Sequence, residues 1–230
     1  MALQKETEKK LSTVFQYLKR NGADNVAQLI TEIIRAECRT KRSTHFDLYD
    51  YADKTGRRHM EGIYYNDGKQ VVSDGHQLLV LNEKYDEDLE GKIIDKNGEE
   101  CAGVYPKYMM VLPETLDDYE PTEIDIEKFY SWIDERRAAY QVDNFGKKTK
   151  WSDEWYVKIG HCLFKASRFH LLIKAAKELE SLTLYTKDSE QGAVVKSDKG
   201  IFMSMPWRTT DSDDVLDLNI KSETEKAEEK

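Results

Sequence analysis

Five histidines are where a search for reactive chemistry begins: His45, His59, His76, His161 and His170. They lie in unrelated contexts. His76 stands beside Asp74, a pairing that could serve as a metal or acid/base pair. An Asp-Gly turn accounts for Asp74 equally well, because a short carboxylate and a glycine suit a tight reversal between strands. No His-x-x-x-His, glycine-rich phosphate loop or nucleophile motif accompanies the pair, so the chain reads as non-catalytic, with no cofactor and no metal. Cys38, Cys101 and Cys162 are odd in number, far apart and without a Cys-x-x-Cys pair. They fit a reducing cytoplasm better than a disulfide framework or a zinc site.

Binding is then the chemistry to look for, and the chain offers ordinary globular material to build it from. Its 230 residues suffice for one large domain or two small ones, and 39% are hydrophobic. No apolar run reaches the roughly 20 residues of a membrane helix, and the N-terminal residues have no signal-peptide core. The net charge is −9. Residues 211–230 carry eight acids and three lysines, over half of that excess, and read as a disordered acidic tail. An acidic exterior with a locally basic lining and plain solubility both fit this charge.

The elements can be read in order. Leu11, Val14, Phe15 and Leu18, then Val26, Leu29, Ile30, Ile33 and Ile34, mark two amphipathic helices within residues 1–44. The cluster Arg35, Arg39, Lys41 and Arg42 either touches phosphate or complements a helix C-terminus. Residues 46–53 read as a short helix burying Phe46, Tyr49 and Ala52, with Asp47, Asp50 and Asp53 recurring every three residues. Turns at Asn66-Asp67-Gly68 and Asp74-Gly75 divide residues 62–65, 69–73 and 77–81 into a three-stranded antiparallel meander. Asn97-Gly98 marks another hairpin, flanked by 92–95 and 99–104. Residues 105–113 are kept out of a central strand by two prolines, and 119–121 continue the break. A helix is expected over 124–140, a polar loop over 144–152, a strand over 155–159 and the best helix over 164–180. Three short strands follow at 182–186, 193–196 and 201–205.

Three segments of this series carry a resemblance. Ser73-Asp74-Gly75-His76-Gln77-Leu78 resembles the Thr-Asp-Gly-His-Arg-Leu segment of bacterial sliding clamps, the DNA polymerase III beta subunits. Tyr105-Pro106-Lys107-Tyr108-Met109-Met110-Val111-Leu112-Pro113 is similar to their Phe-Pro-Asn/Asp-Tyr-x-x-Val-Ile/Leu-Pro. Met205-Pro206-Trp207-Arg208 is similar to their terminal Met-Pro-Met-Arg. Gln77 departs from the family's arginine and Trp207 from its methionine.

The resemblance implies an α+β protein: a DNA-clamp-like domain of two helix-plus-antiparallel-strands halves over residues 45–210, with residues 120–152 as an insertion and an added N-terminal helical pair. It also implies a peptide-binding groove lined by Gly75, His76, Leu78, Pro106, Met110, Val111, Met203, Met205, Pro206, Trp207 and Arg208. The DNA-facing residues would be Lys54, Arg57, Arg58, His170, Lys174 and Lys177. The partners so implied are double-stranded DNA held without sequence preference, polymerase or clamp-loader peptides, and further copies of the chain in a homo-oligomer. The function implied is that of a cytoplasmic processivity factor in DNA replication or repair. A clamp-fold adaptor that binds proteins without encircling DNA is the alternative. Val215-Leu216-Asp217-Leu218 resembles the Leu-x-Leu heart of clamp-binding peptides, which suggests that the tail visits its own or a neighbour's groove.

Overall fold

Asp67 and Gly68 hold φ of 52° and 69°, the paired positive values of a tight hairpin turn, and they fold β1 (Ile63–Asn66) onto β2 (Lys69–Ser73). The bend at Asp74-Gly75 then folds β2 onto β3 (Gln77–Leu81). The computed structural model describes Val14 and residues 46–143, 151–208 and 213–219. The helical pair and basic cluster expected before residue 44, Val14 apart, lie outside these residues, as does the segment 144–150. No helix among the described residues is long and apolar enough to cross a membrane.

The main sheet has eight antiparallel strands in the order β4-β1-β2-β3-β10-β9-β8-β5. Here β4 is Ile93–Ile94, β5 Glu120–Glu123, β8 Thr183–Thr186, β9 Ala193–Ser197 and β10 Gly200–Ser204. The order is palindromic: each half is a meander with one extra strand outside it, and the halves meet where β3 pairs with β10. A second sheet holds β6 (Tyr156–Ile159) between β7 (Cys162–Lys165), antiparallel to it, and β11 (Val215–Asp217), parallel to it.

The chain divides into two compact units, Thr44–Ile124 with Glu154–Lys230 and Met1–Ser43 with Asp125–Asp153. The second of these contains α1 (Ile126–Asp143). Asp125 starts this helix by accepting the Lys128 amide at 2.8 Å, and Phe129, Tyr130, Ile133 and Ala138 are buried on it. The first unit contains both sheets and α2 (Ala166–Glu178), which buries Phe169, Leu172, Ile173 and Ala176 against β6, β7 and β10.

Four expectations are corrected. Residues 46–53 form no regular helix but a single 3-10 turn, Leu48–Tyr51, capped by Asp47. Asp53 ends it by turning its carboxylate onto Thr55 and Arg57, and Tyr51 rather than Tyr49 is the fully buried ring. Residues 119–121 are not a simple break, because Pro121 lies in β5. That strand is the sheet's last, where a residue without an N–H leaves no ladder bond unmade. Phe164 and Lys165 belong to β7, not to the helix that follows, and Gly160 with a φ of 54° marks the hairpin that separates β6 from β7.

The fourth correction concerns the acidic tail, which is not disordered throughout. Leu216 is buried, the Tyr156 amide donates to the Asp214 carbonyl at 3.0 Å and the Leu218 amide to Lys158 at 2.8 Å. The Asn219 side chain bonds both backbone groups of Gly160, at 2.7 and 3.1 Å. Val215-Leu216-Asp217-Leu218 therefore lies along β6 and adds a strand there.

Burial also sets the reactivity of β7. Cys162 is wholly buried, and burial pushes its thiol up to about 12. A maleimide or disulfide reagent at pH 8 is expected to leave Cys162 unlabelled in the native protein and to modify it after denaturation, as read by peptide mass spectrometry.

Candidate functional site

The pairing of β3 with β10 brings the first and last of the three motif segments side by side. Leu78 lies directly opposite Met203, and Gln77 opposite Ser204. The Met205 amide then donates to the His76 carbonyl at 2.8 Å, so Met205 follows the bend closely. Leu78 and Met203 share one face of the sheet, because residues opposite each other in an antiparallel pair point the same way. On that face Leu78 packs with Val71, Val80, Ile93, Tyr105 and Tyr108. The central motif is thus anchored to the first through its two tyrosines, with Tyr105 stacked on Tyr64 at 4.8 Å between ring centroids.

That anchoring sets what the central motif exposes. A 3-10 turn over Tyr108–Met110 buries Tyr108 and turns its neighbours outward: Met109, Met110 and Val111 are 59, 80 and 56% exposed. Pro106 is exposed beside them. On the last motif, Met205 and Trp207 are 39 and 41% exposed, Pro206 is half-buried and Arg208 is exposed. The Trp207 amide donates to the Leu163 carbonyl at 2.6 Å, and the Lys165 ammonium sits 4.7 Å from its ring centroid. This cation–π contact holds the indole against β7. The site residues implied by the resemblance therefore form a buried pair, Leu78 and Met203, with exposed residues on the three segments that meet around it.

Gln77 faces the other way. It is buried, and its amide nitrogen donates to the Arg168 carbonyl at 3.2 Å and to the Ser204 hydroxyl at 3.4 Å. Its departure from the resembled pattern belongs to the packing of the sheet on α2. Asp74 is similarly explained by structure: one carboxylate oxygen accepts the His76 and Gln77 amides at 2.8 and 2.7 Å. His76 meets Asp74 through its backbone, and no group of three or more potential metal ligands occurs among the described residues.

The six residues expected to face DNA separate into two kinds. Lys54, Arg58 and Lys177 are exposed and His170 is half-buried. Lys174 and Arg57 have internal partners: Lys174 bonds Asp50 at 3.0 Å with its side chain only 12% exposed, and Arg57 bonds Asp53 at 2.7 Å. The aspartates at every third position thus each have a structural use, as a cap at Asp47 and as ion-pair partners at Asp50 and Asp53. Arg57 also donates to the Asp74 carbonyl at 2.6 Å, which attaches it to the bend. Sequence reading missed this role of Arg57. The four-residue spacing from Asp53 was its one local signal.

A similar fold occurs in a bacterial DNA polymerase III beta clamp. The subunit from Bartonella birtlesii, bound to griselimycin, superposes with a TM-score of 0.51 over 70% of this chain and 62% of that one, at 16% identity. The fold is sliding-clamp-like. The beta clamp of Caulobacter crescentus gives 14% identity and a TM-score of 0.49 over 70% of this chain and 62% of its own. A Helicobacter pylori beta clamp bound to a DNA ligase peptide gives 13% and 0.48 over 70 and 61%. The clamp-like chain thus spans less than two thirds of the length of these clamps. No protein-family model matches its sequence, and no curated protein does.

Proposed function

We propose that this chain is a non-catalytic, clamp-like accessory of DNA replication or repair that recruits partner peptides through the surface around Leu78 and Met203. One observation carries the reading: Met109, Met110, Val111, Met205 and Trp207 are all exposed on segments that converge on that buried pair. Folding leaves large apolar side chains outward at one place when something else covers them. Methionines adapt to the shape of an apolar side chain, Trp207 offers a large flat area, and Arg208 can meet a peptide carboxylate. In this reading residues 45–210 are the clamp-like domain, the segment inserted into it begins after β5 rather than at residue 120, and 1–44 are added before it. In the same reading the protein works in the cytoplasm and its copies associate.

The same reading extends to DNA contact, with a modest charge to support it. Lys54, Arg58, His170 and Lys177 would supply diffuse contacts, each neutralised phosphate contributing about −0.9 to the slope of log K against log salt. The alternative, an adaptor that does not encircle DNA, draws its support from the internal pairing of Lys174 and Arg57. Anisotropy titrations of a labelled peptide with a Leu-x-Leu core and of a duplex oligonucleotide, with light scattering of the protein alone, decide between them. Peptide binding together with salt-sensitive duplex binding by an oligomer is the expected result. Peptide binding by a monomer that ignores DNA at about 50 mM salt, where phosphate contacts are strong, would favour the adaptor. Absence of peptide binding would refute both.

A further inference from the structure

We propose that Arg57 is a positioning residue for this surface, clipping the Asp74-Gly75-His76 bend into the shape that a partner peptide meets. The inference rests on the peptide-docking reading and adds to it a residue outside the docking segments.

The bend satisfies most of its own backbone. Asp74 accepts the amides of His76 and Gln77, and the Ser73 hydroxyl accepts that of Gly75 at 3.0 Å. The Asp74 carbonyl is taken by Arg57 from outside the bend, at 2.6 Å from Nη2. The guanidinium also lies against Gly75: a β-carbon there would stand 2.8 Å from Nη1. Gly75 has a φ of +82°, a conformation that favours a residue without a side chain, and the arginine occupies the space where one would lie.

Arg57 is itself held from the core. Its Nη2 donates to Asp53 Oδ1 at 2.7 Å and its amide to Oδ2 at 3.0 Å, while the Thr55 hydroxyl bonds the same carboxylate at 2.9 Å. The Asp53 side chain is 1% exposed, and the Asp53 amide donates to the Met60 carbonyl at 2.9 Å, beside a buried Met60. The Arg57 guanidinium beside it holds the Asp53 carboxyl far below the usual carboxylate range. On the other side of the bend, the Met205 amide bonds the His76 carbonyl at 2.8 Å. A displaced bend therefore carries Met205, and the wall that it begins, along with it.

The test compares the intact chain with Arg57→Ala, Arg57→Lys and a Lys158→Ala control, whose ion pair with Asp217 lies on β6. Arg57→Lys keeps a cation for Asp53 but loses the flat fork that reaches two acceptors and packs on Gly75. Labelled Leu-x-Leu peptide is titrated by anisotropy, and amide exchange is read by NMR at Gly75, His76, Gln77 and Met205. Arg57→Ala is expected to weaken binding about tenfold and Arg57→Lys about threefold, on the scale of losing charge-assisted hydrogen bonds. Exchange at the four amides quickens in both variants, and the Lys158→Ala protein matches the parent. Should Arg57→Ala fail to fold, Arg57→Lys carries the comparison. Parental affinity and unchanged exchange in the folded Arg57 variants would overturn the inference. A parent chain that binds no peptide overturns instead the functional reading it rests on, and the exchange rates still decide whether Arg57 holds the bend.

Discussion

Phe202→Ala is expected to cost about 3–5 kcal/mol of stability, the range for removing a fully buried aromatic ring. Phe202 is wholly buried at the centre of the eight-stranded sheet, opposite Leu79 of β3 and Val195 of β9. Its ring meets Tyr51 edge-on at 5.8 Å between centroids, and the Tyr51 hydroxyl is fixed in turn by the Leu171 carbonyl of α2 at 2.8 Å. The cavity would open where the two meanders join, and three elements would have to move together to close it. Backbone pairing on both sides of β10 resists that collapse, so the cost belongs in the upper part of the range. In a domain of this size a loss of 3–5 kcal/mol lowers the melting midpoint by about 10 °C, measurable by calorimetry or circular dichroism. The exposed Lys199–Glu180 pair, 2.7 Å apart, shows the contrast, since surface ion pairs of this sort contribute little to stability. A midpoint shift of a degree or two in Phe202→Ala would mean that the halves are not joined through this ring.

The second large effect is on recognition and leaves stability alone. Met110→Glu and Trp207→Ala are each expected to weaken binding of an apolar peptide about 10- to 100-fold, the loss typical of a central anchoring residue. Met110 is 80% exposed, so Met110→Glu opens no core cavity and should melt within about 2 °C of the parent, as surface substitutions do, whereas Trp207 is 41% exposed and packs on Lys165, so the affinity of Trp207→Ala is read beside its own melting curve. Leu78→Ala would confuse the two effects, because Leu78 is 4% exposed and packs on Tyr105 and Tyr108. Anisotropy and melting curves on the same samples separate them. Unchanged affinity in both variants would show that the peptide docks elsewhere.

Local patterns account for what could be read early. The Asp67-Gly68 and Asp74-Gly75 turns require positive φ, and they place the meander at 63–81 within a residue of its expected limits. The spacing of Phe169, Leu172, Ala176 and Leu179 locates α2, although its first turn was extended backward into β7. That boundary has no local mark: no glycine, proline or side-chain cap separates Phe164 and Lys165 from the helix that begins at Ala166. The spacing around the 3-10 turn at 48–51 also suggests more helix than forms. Tyr49 and Ala52 have helical spacing, but three aspartates whose carboxylates bond nearby groups favour caps and ion pairs over a continuing helix.

The sequence by itself determined the strands of the two meanders, the turns of the first of them, most of the better helix and the three motif segments, because each depends on residues a few positions apart. Only the tertiary structure decided that β3 pairs with β10, that Val215–Asp217 joins β6, and that Arg57 turns toward Gly75. A strand shows which of its faces is apolar, but not which distant strand completes its hydrogen bonds. A charged side chain carries no local mark of the partner that will hold it, and both choices are made only when remote parts of the chain are packed together.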